Sequence, residues 1–377
     1  LDTQLRRFKC TFSSTESKAN QSAGINREED ADRSPTLPPG RRISVMATVI
    51  AFATGEEFRD DVRKKLAPDT LAALTRLDPV RSSLAVAQTF TLLALVIGLA
   101  VAFWSWWAAA IAVVLIAPLQ HALFVLAHDA AHYRLYDTRW LNDAVGRLCG
   151  TIAGISMCTY RVIHRLHHNH LYGPQDPDIA LHGGYPRGKA YLAKKLAKDL
   201  AGLTAFKTFS YFFGAPSLNA DTGKAERPLD DTSPRLRAAA RRDRWTVLGF
   251  HVLAPVVAFA AGWGWQYVVL WMLPLVTVLH AILRLRAICE HGAVTDYGSP
   301  LTAARTNLAP LWLRYAMFPH HVNYHVEHHL YPAVPHYNLP RLHAALRAQG
   351  MLEGAQIRPI GDTLALVFAE PRDRAAA

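Results

Sequence analysis

Three clusters of histidine carry the chemistry of this chain. His128-Asp-Ala-Ala-His132, His164-Arg-Leu-His-His168 and His325-Val-Glu-His-His329 share one local rule. In a helix, residues three and four apart stand on one face, so the imidazoles of each cluster project together. Imidazole nitrogen is a ligand for zinc, iron and copper, and an ordinary packed core requires no such repetition. The eight residues His128, His132, His164, His167, His168, His325, His328 and His329 exceed the four ligands of one tetrahedral zinc site. They suit two metal ions.

Ligation by nitrogen alone suits iron as well as zinc and lacks the carboxylate bridges of ferritin-like di-iron sites. A histidine-only set leaves iron as an open-site oxidant. Removing hydrogen from an unactivated methylene needs such an oxidant, because no acid-base side chain can deprotonate it. Asp129, Glu290 and Glu327 either orient ligand imidazoles or are surface charges. Asp176 and Asp178, in the Pro-rich run that ends the second cluster's helix, either orient imidazoles or form a turn and cap the next element.

The elements that position these clusters follow from the distribution of charge. No Asp, Glu, Lys or Arg occurs from Leu84 to Ala127, nor from Trp245 to Leu283. The first run is roughly 66 Å long as helix, enough to cross a ~30 Å hydrocarbon core twice. Each run therefore reads as a hairpin of two spanning helices, with spans near 84–103, 107–127, 245–262 and 265–284. The turns fall near Phe103-Trp-Ser-Trp-Trp107 and Gly262-Trp-Gly-Trp265, and tryptophan marks the membrane boundary. The first cluster directly follows the second span. His291 lies at the cytoplasmic end of the fourth, level with the clusters, and is a candidate ninth ligand. Isolated histidines such as His121, His251 and His280 read as hydrogen-bonded packing residues.

Between the hairpins, residues 133–244 carry eighteen Lys/Arg against ten Asp/Glu, which places this segment and both termini in the cytoplasm. The net charge of +11 then reflects topology and anionic lipid, and nucleic acid is excluded as a partner. Abundant Ala and Arg point to a bacterial source, hence an inner membrane. Residues 1–45 are polar and read as a disordered extension, with Met46 a candidate natural start. No secretory signal is expected, since the first long apolar run begins at Leu84. Residues 46–83 read as an amphipathic cytoplasmic segment, with one helix through Phe58 and Val62 and another through Leu71, Leu74 and Leu77, and 344–377 as a cytoplasmic tail. Residues 140–160 read as an interfacial helix, 189–216 as a surface-lying amphipathic helix and 219–234 as a polar loop. The cysteines, at 10, 149, 158 and 289, show no paired spacing, as expected of reduced thiols.

HDAAH, HRLHH and HVEHH, in that order around two membrane hairpins, resemble the histidine boxes of the membrane fatty acid desaturase superfamily. The run Asn323 to Pro335, NYHVEHHLYPAVP, resembles its acyl-lipid members in particular. The resemblance covers roughly residues 84–343. It implies an all-α integral membrane protein: a mushroom-shaped bundle of four transmembrane helices with a cytoplasmic helical cap holding a histidine-rich dimetal site. It further implies two iron ions that activate O2, with zinc as a non-native substitute, and a lipid acyl chain as substrate, presented as an acyl-lipid or as a CoA or carrier-protein ester. In its stearoyl-CoA members a histidine after the fourth span also binds metal, and His291 matches that position. The asparagine that accompanies it there is Ala287 here.

Reducing O2 at such a centre needs electrons from outside. With no haem-binding module and no GxGxxG fingerprint, the chain requires a separate donor: a ferredoxin, a rubredoxin or a cytochrome b5 with its reductase. Arg161 and Arg165 either dock an acidic donor or contact lipid phosphate. The runner-up activity is a hydroxylase or ketolase acting on a carotenoid or other alkyl lipid. Metal transport is disfavoured because transporter sites lie near the midplane, and zinc proteolysis because no HExxH occurs.

Overall fold

The computed structural model describes residues 65–371 apart from 174, 216, 219–224, 227–232 and 295. The extension 1–45, Met46, the helix expected around Phe58 and Val62, most of the loop 219–234 and residues 372–377 lie outside the described residues.

Asp78 begins the first long helix, α1 (Pro79–Ala102). Its carboxylate accepts the N–H groups of Val80 and Arg81 at 3.0 and 3.2 Å, and Pro79 occupies a position where no intrahelical donor is required. Ser105 starts α2 (Trp106–Ala131) by accepting the Ala108 N–H at 3.1 Å, so the hairpin turns at residues 103–105. Leu84, Leu95 and Leu99 of α1 and Ile111, Val114 and Leu115 of α2 are exposed, as are Trp104, Trp106 and Trp107 at the turn. An apolar belt of this extent is stable when lipid solvates it.

The α2 helix is buried along its C-terminal half and forms the spine of the molecule. Two shorter helices brace its end, α3 (Arg139–Ile152) and α4 (Met157–Asn169). Gly146 lets α3 approach closely: a Cβ there would lie 2.3 Å from the Cβ of Ala130. The last carbonyls of α2 have no intrahelical donors and are satisfied from these neighbours. Asn142 Nδ2 donates to the Ala130 carbonyl at 3.0 Å. Arg161 donates to the carbonyls of Ala130 and Ala131 at 2.9 and 3.1 Å.

Among the described residues, three helical stretches are long and apolar enough to cross a membrane: Pro68–Ala102, which contains α1, then α2, and Gly264–His291. The span expected at 245–262 lies in a helix that falls outside this group, α5 (Pro234–Ala260). Its first turns carry Arg235, Arg237, Arg241, Arg242, Asp243 and Arg244. Only Trp245 to Ala260 is apolar, about 24 Å at helical rise, short of a full hydrocarbon core. Asp243 anchors α5: it accepts from Ser156 Oγ and the Cys158 N–H, both at 2.8 Å, at the start of α4.

The stretch Gly264–His291 is α6. Pro274 removes a donor and crowds the preceding turn, and a π-helical turn, Val268–Met272, comes immediately before it. The expected single helix over 189–216 is two, Lys189–Leu200 and Ala205–Phe212, separated at Gly202, whose φ of 74° breaks the helix. A parallel two-stranded pairing of Arg305–Leu308 with Gln356–Pro359, absent from the sequence reading, ties the C-terminal region to the third histidine box. That box is α7 (His325–Leu330), a helix of six residues.

Candidate metal centre

The histidine pattern is realised at helix ends. His128 lies in the last turn of α2 with His132 as its C-cap, His164, His167 and His168 lie in the second half of α4, His291 ends α6, and His325, His328 and His329 make up α7. All nine histidines singled out from the sequence fall into two groups. His128, His132, His164, His168 and His328 form one, and His167, His291, His325 and His329 the other; within each, the ligand atoms lie within 4.8 Å of one another.

The second and third boxes do not each serve one group. Residues four apart share a group, His164 with His168 and His325 with His329, while the residue between them, His167 or His328, turns to the other. The three-residue and four-residue steps of a helix differ by about 100° in direction, and the HxxHH spacing uses that difference to bridge two sites.

Nε2 atoms converge within both groups. His164 Nε2 stands 2.8 Å from that of His128 and 3.0 Å from that of His168, which is 3.0 Å from that of His328. In the second group His325 Nε2 is 2.7 Å from that of His291 and 3.1 Å from that of His329. Burial, followed by the neighbouring imidazoles, holds His164, His168, His325, His328 and His329 well below the ordinary histidine pKa. These rings are neutral.

Proton positions test whether the donor set fits a cation. His167 Nδ1 lies 2.9 Å from Asp176 Oδ1 and His291 Nδ1 lies 3.0 Å from the Ala303 carbonyl, so each ring donates from Nδ1. Each therefore presents a lone pair at Nε2, and these two atoms face one another at 3.2 Å. Lone pairs at that distance repel unless a cation shares them. Separations of this size are those of nitrogens bound to one ion at ~2.1 Å. With no cation, burial works against a charge on His167, but Asp176 and Asp178 outweigh it and raise its pKa to about 9. A metal held here would take the place of that proton.

The carboxylates separate by role. Asp176 orients His167 and is fixed in turn by the Tyr172 N–H at 2.9 Å. Asp178 accepts from Tyr211, and Asp129 accepts from His336 Nδ1 at 2.7 Å. The other Asp129 oxygen is 3.5 Å from His128 Nδ1. Glu290 pairs with Arg286 at 2.7 Å and stands 3.8 Å from His325 Nδ1, beyond hydrogen-bond range. Glu327 orients no ligand, since its oxygens accept from Thr306 and His343, both at 2.5 Å.

His121 accepts from Arg286 at 3.1 Å and His251 meets the Thr151 carbonyl at 2.9 Å, in keeping with packing roles. His280 is buried edge-on against Phe209 and has no hydrogen-bond partner among the described residues. The sequence reading missed His182. It is buried, its nitrogens lack hydrogen-bond partners among the described residues, and it groups with His167 and Asp176, 4.8 Å between ring centres from His291. Standing alone in sequence, it had no spacing to reveal it.

A cavity of about 90 Å³ adjoins both groups. Phe124, Phe212 and Leu283 supply apolar walls, and His164, His167, His291 and His325 form the metal-facing side. Ala287 also lines it, where the resemblance implied an asparagine in other members.

The Fatty acid desaturase family model matches residues 104–360. The dihydrorhizobitoxine desaturase of Bradyrhizobium elkanii is 24% identical over 74% of this chain and 77% of its own length. The sn-1 acyl-lipid omega-3 desaturase (ferredoxin) of Nostoc sp. (strain 36) is 26% identical over 60% of this chain and 64% of its own length. A chloroplastic omega-3 fatty acid desaturase of Glycine max is 28% identical over 58% of this chain, which spans about half the length of that relative (49%). With the family match covering most of the chain and both histidine groups, the chain belongs to the fatty acid desaturase family.

Proposed function

We propose that this protein is a membrane-bound di-iron acyl-lipid desaturase. The observation that carries the reading is a cavity bordered by histidines of both groups and by apolar side chains. Two iron ions, held by His128, His132, His164, His168 and His328 and by His167, His291, His325 and His329, would supply O2-dependent removal of two hydrogens from adjacent methylenes. The protein's own part is to position and seal. Phe124, Phe212 and Leu283 hold an alkyl segment beside the metal-facing wall and keep water from it. Asp176 and the Ala303 carbonyl keep the Nδ1 protons of His167 and His291 in place, so that both rings direct Nε2 to the site.

We further infer four spans, with α5 entering the bilayer at Trp245, and with the boxes and both termini on the cytoplasmic side of a bacterial inner membrane. The exposed Leu248, Val252, Val256 and Phe259 of α5 support a span there. Trp104 and Trp106 at one turn and Trp263 and Trp265 at the other support an interface at the end opposite the boxes. The desaturase domain would run over 84–343. Electrons would come from a separate donor, and the ferredoxin in the name of the Nostoc relative favours that type.

One observation favours a second reading. The relative matched over the greatest share of its own length among the three above is named for dihydrorhizobitoxine, and Asp178, Arg284, Arg286 and Glu290 give the same cavity a polar side. A polar substrate would meet those groups. Mass spectrometry of cells expressing the chain, beside cells expressing His328→Ala, tests both. Acyl chains lacking two hydrogens only with the wild type support acyl desaturation. Unchanged acyl chains with a desaturated polar metabolite favour the second reading, and a gain of one oxygen atom contradicts both.

A further inference from the structure

A second, larger crevice lies on the other side of α2, between α1, α2 and the helix Leu311–Met317, and encloses about 350 Å³. Its walls change character along its depth. Leu84, Leu92, Pro118 and Leu119 form an apolar channel between the two helices, and Arg81, Arg314 and His321 stand among its polar lining. The apolar part lies two to three turns from His128 toward the bilayer, and the outer lip carries Leu311 and Tyr315, both exposed. A crevice that is cationic at one part, apolar at another and open at a lipid-facing surface matches an amphipathic anion.

Two details single out Arg314. Its Nη2 donates to His321 Nδ1 at 2.7 Å, which leaves the guanidinium charge without a carboxylate in that contact. Its Nε is buried and has no hydrogen-bond partner among the described residues, an arrangement that costs free energy unless an acceptor fills the crevice. His321, pushed down to about 4 by burial and by Arg314, accepts that bond as a neutral ring. Of the carboxylates nearby, Asp78 caps α1 with one oxygen and stands 3.5 Å from Arg81 with the other, and Asp129 accepts from His336. The remaining histidine, His320, contacts Thr89 Oγ1 at 3.2 Å.

We propose that this crevice is a phospholipid site separate from the catalytic cavity, in which Arg314 and Arg81 hold the phosphate of an anionic headgroup and an acyl chain lies between α1 and α2 along Leu84, Leu92 and Leu119. Arginine suits this role because its planar donors match phosphate oxygens. His336 links the site to the metal centre, since it lines the crevice and donates to Asp129, beside His128. A lipid seated here packs against the outer wall of the first histidine group.

The test is native mass spectrometry of the full chain in detergent, titrated with dioctanoyl phosphatidylglycerol, with dioctanoylglycerol and with inorganic phosphate. Saturable binding of one phosphatidylglycerol, at least tenfold weaker for dioctanoylglycerol, is expected. Arg314→Gln should weaken phosphatidylglycerol binding by at least tenfold. So should Gln88→Trp, which fills the crevice from an exposed position on α1 and leaves the core untouched. Equal affinity for the two lipids, or unchanged binding in both variants, would overturn the proposal. Binding of inorganic phosphate as tight as that of the lipid would also overturn it, because the site would then recognise a free anion.

Discussion

Nε2 of His167 and Nε2 of His291 face one another at 3.2 Å, while both Nδ1 protons are committed to Asp176 and to the Ala303 carbonyl. With both rings neutral, neither can donate to the other without giving up a good hydrogen bond, so the pair is organised for a shared cation, either a proton on His167 or a metal ion in its place. The same relation makes Asp176, which lies outside both histidine groups, part of the centre.

Asp176→Asn should therefore act on the second histidine group alone. An amide can present its N–H to His167 Nδ1 and reverse the tautomer, withdrawing the Nε2 lone pair. Loss of such an orienting partner typically weakens metal binding by about 10–100-fold. Iron content of the purified variant, measured by inductively coupled plasma mass spectrometry, should fall toward half of the wild-type value. Unchanged iron with unchanged turnover would show that Asp176 only shapes the turn at Tyr172.

Arg161 is read differently once its contacts are known. Its guanidinium donates to the carbonyls of Ala130 and Ala131 and to Asp143, with 11% of its side chain exposed, so it closes the end of α2 and is not free to dock a donor protein. Hydrogen bonds of a charged donor contribute ~1.5–3 kcal/mol each. Arg161→Gln should lower the thermal unfolding midpoint in detergent by several degrees, whereas Arg165→Gln, at an exposed position, should leave it unchanged. Equal midpoints for the two variants would contradict this assignment.

Close packing of α3 on α2 gives a third expectation. Gly146→Ala places a Cβ 2.3 Å from that of Ala130, an overlap that should cost ~1–3 kcal/mol. Adding Ala130→Gly removes the opposing atom and should recover part of the loss, read as a shift in unfolding midpoint. A single variant as stable as the wild type would mean that the helices separate at little cost.

The histidine centre was legible because its spacing is local: i, i+3 and i+4 within one helix turn can be read without knowing where the helix lies. How the boxes share two sites was not legible, because that depends on α4 and α7 meeting across the centre. His182 was invisible for the same reason, since tertiary packing alone brings it beside His167 and His291. The hairpin turns at residues 103–105 and 261–263 followed from glycine and tryptophan punctuating uncharged runs. The break at Gly202 was hidden inside an amphipathic pattern that continues on both sides of it. The parallel pairing of Arg305–Leu308 with Gln356–Pro359 joins segments about fifty residues apart, and such a short strand leaves little periodicity to read.

The most direct measurement is the iron content of the protein purified under gentle conditions, compared with that of His132→Ala and His329→Ala, one variant for each histidine group. Two iron ions per chain in the wild type are expected, with each variant losing one and retaining its place in the membrane. A wild type that binds a single ion, or either variant retaining both, would contradict a centre built from five histidines on one ion and four on the other.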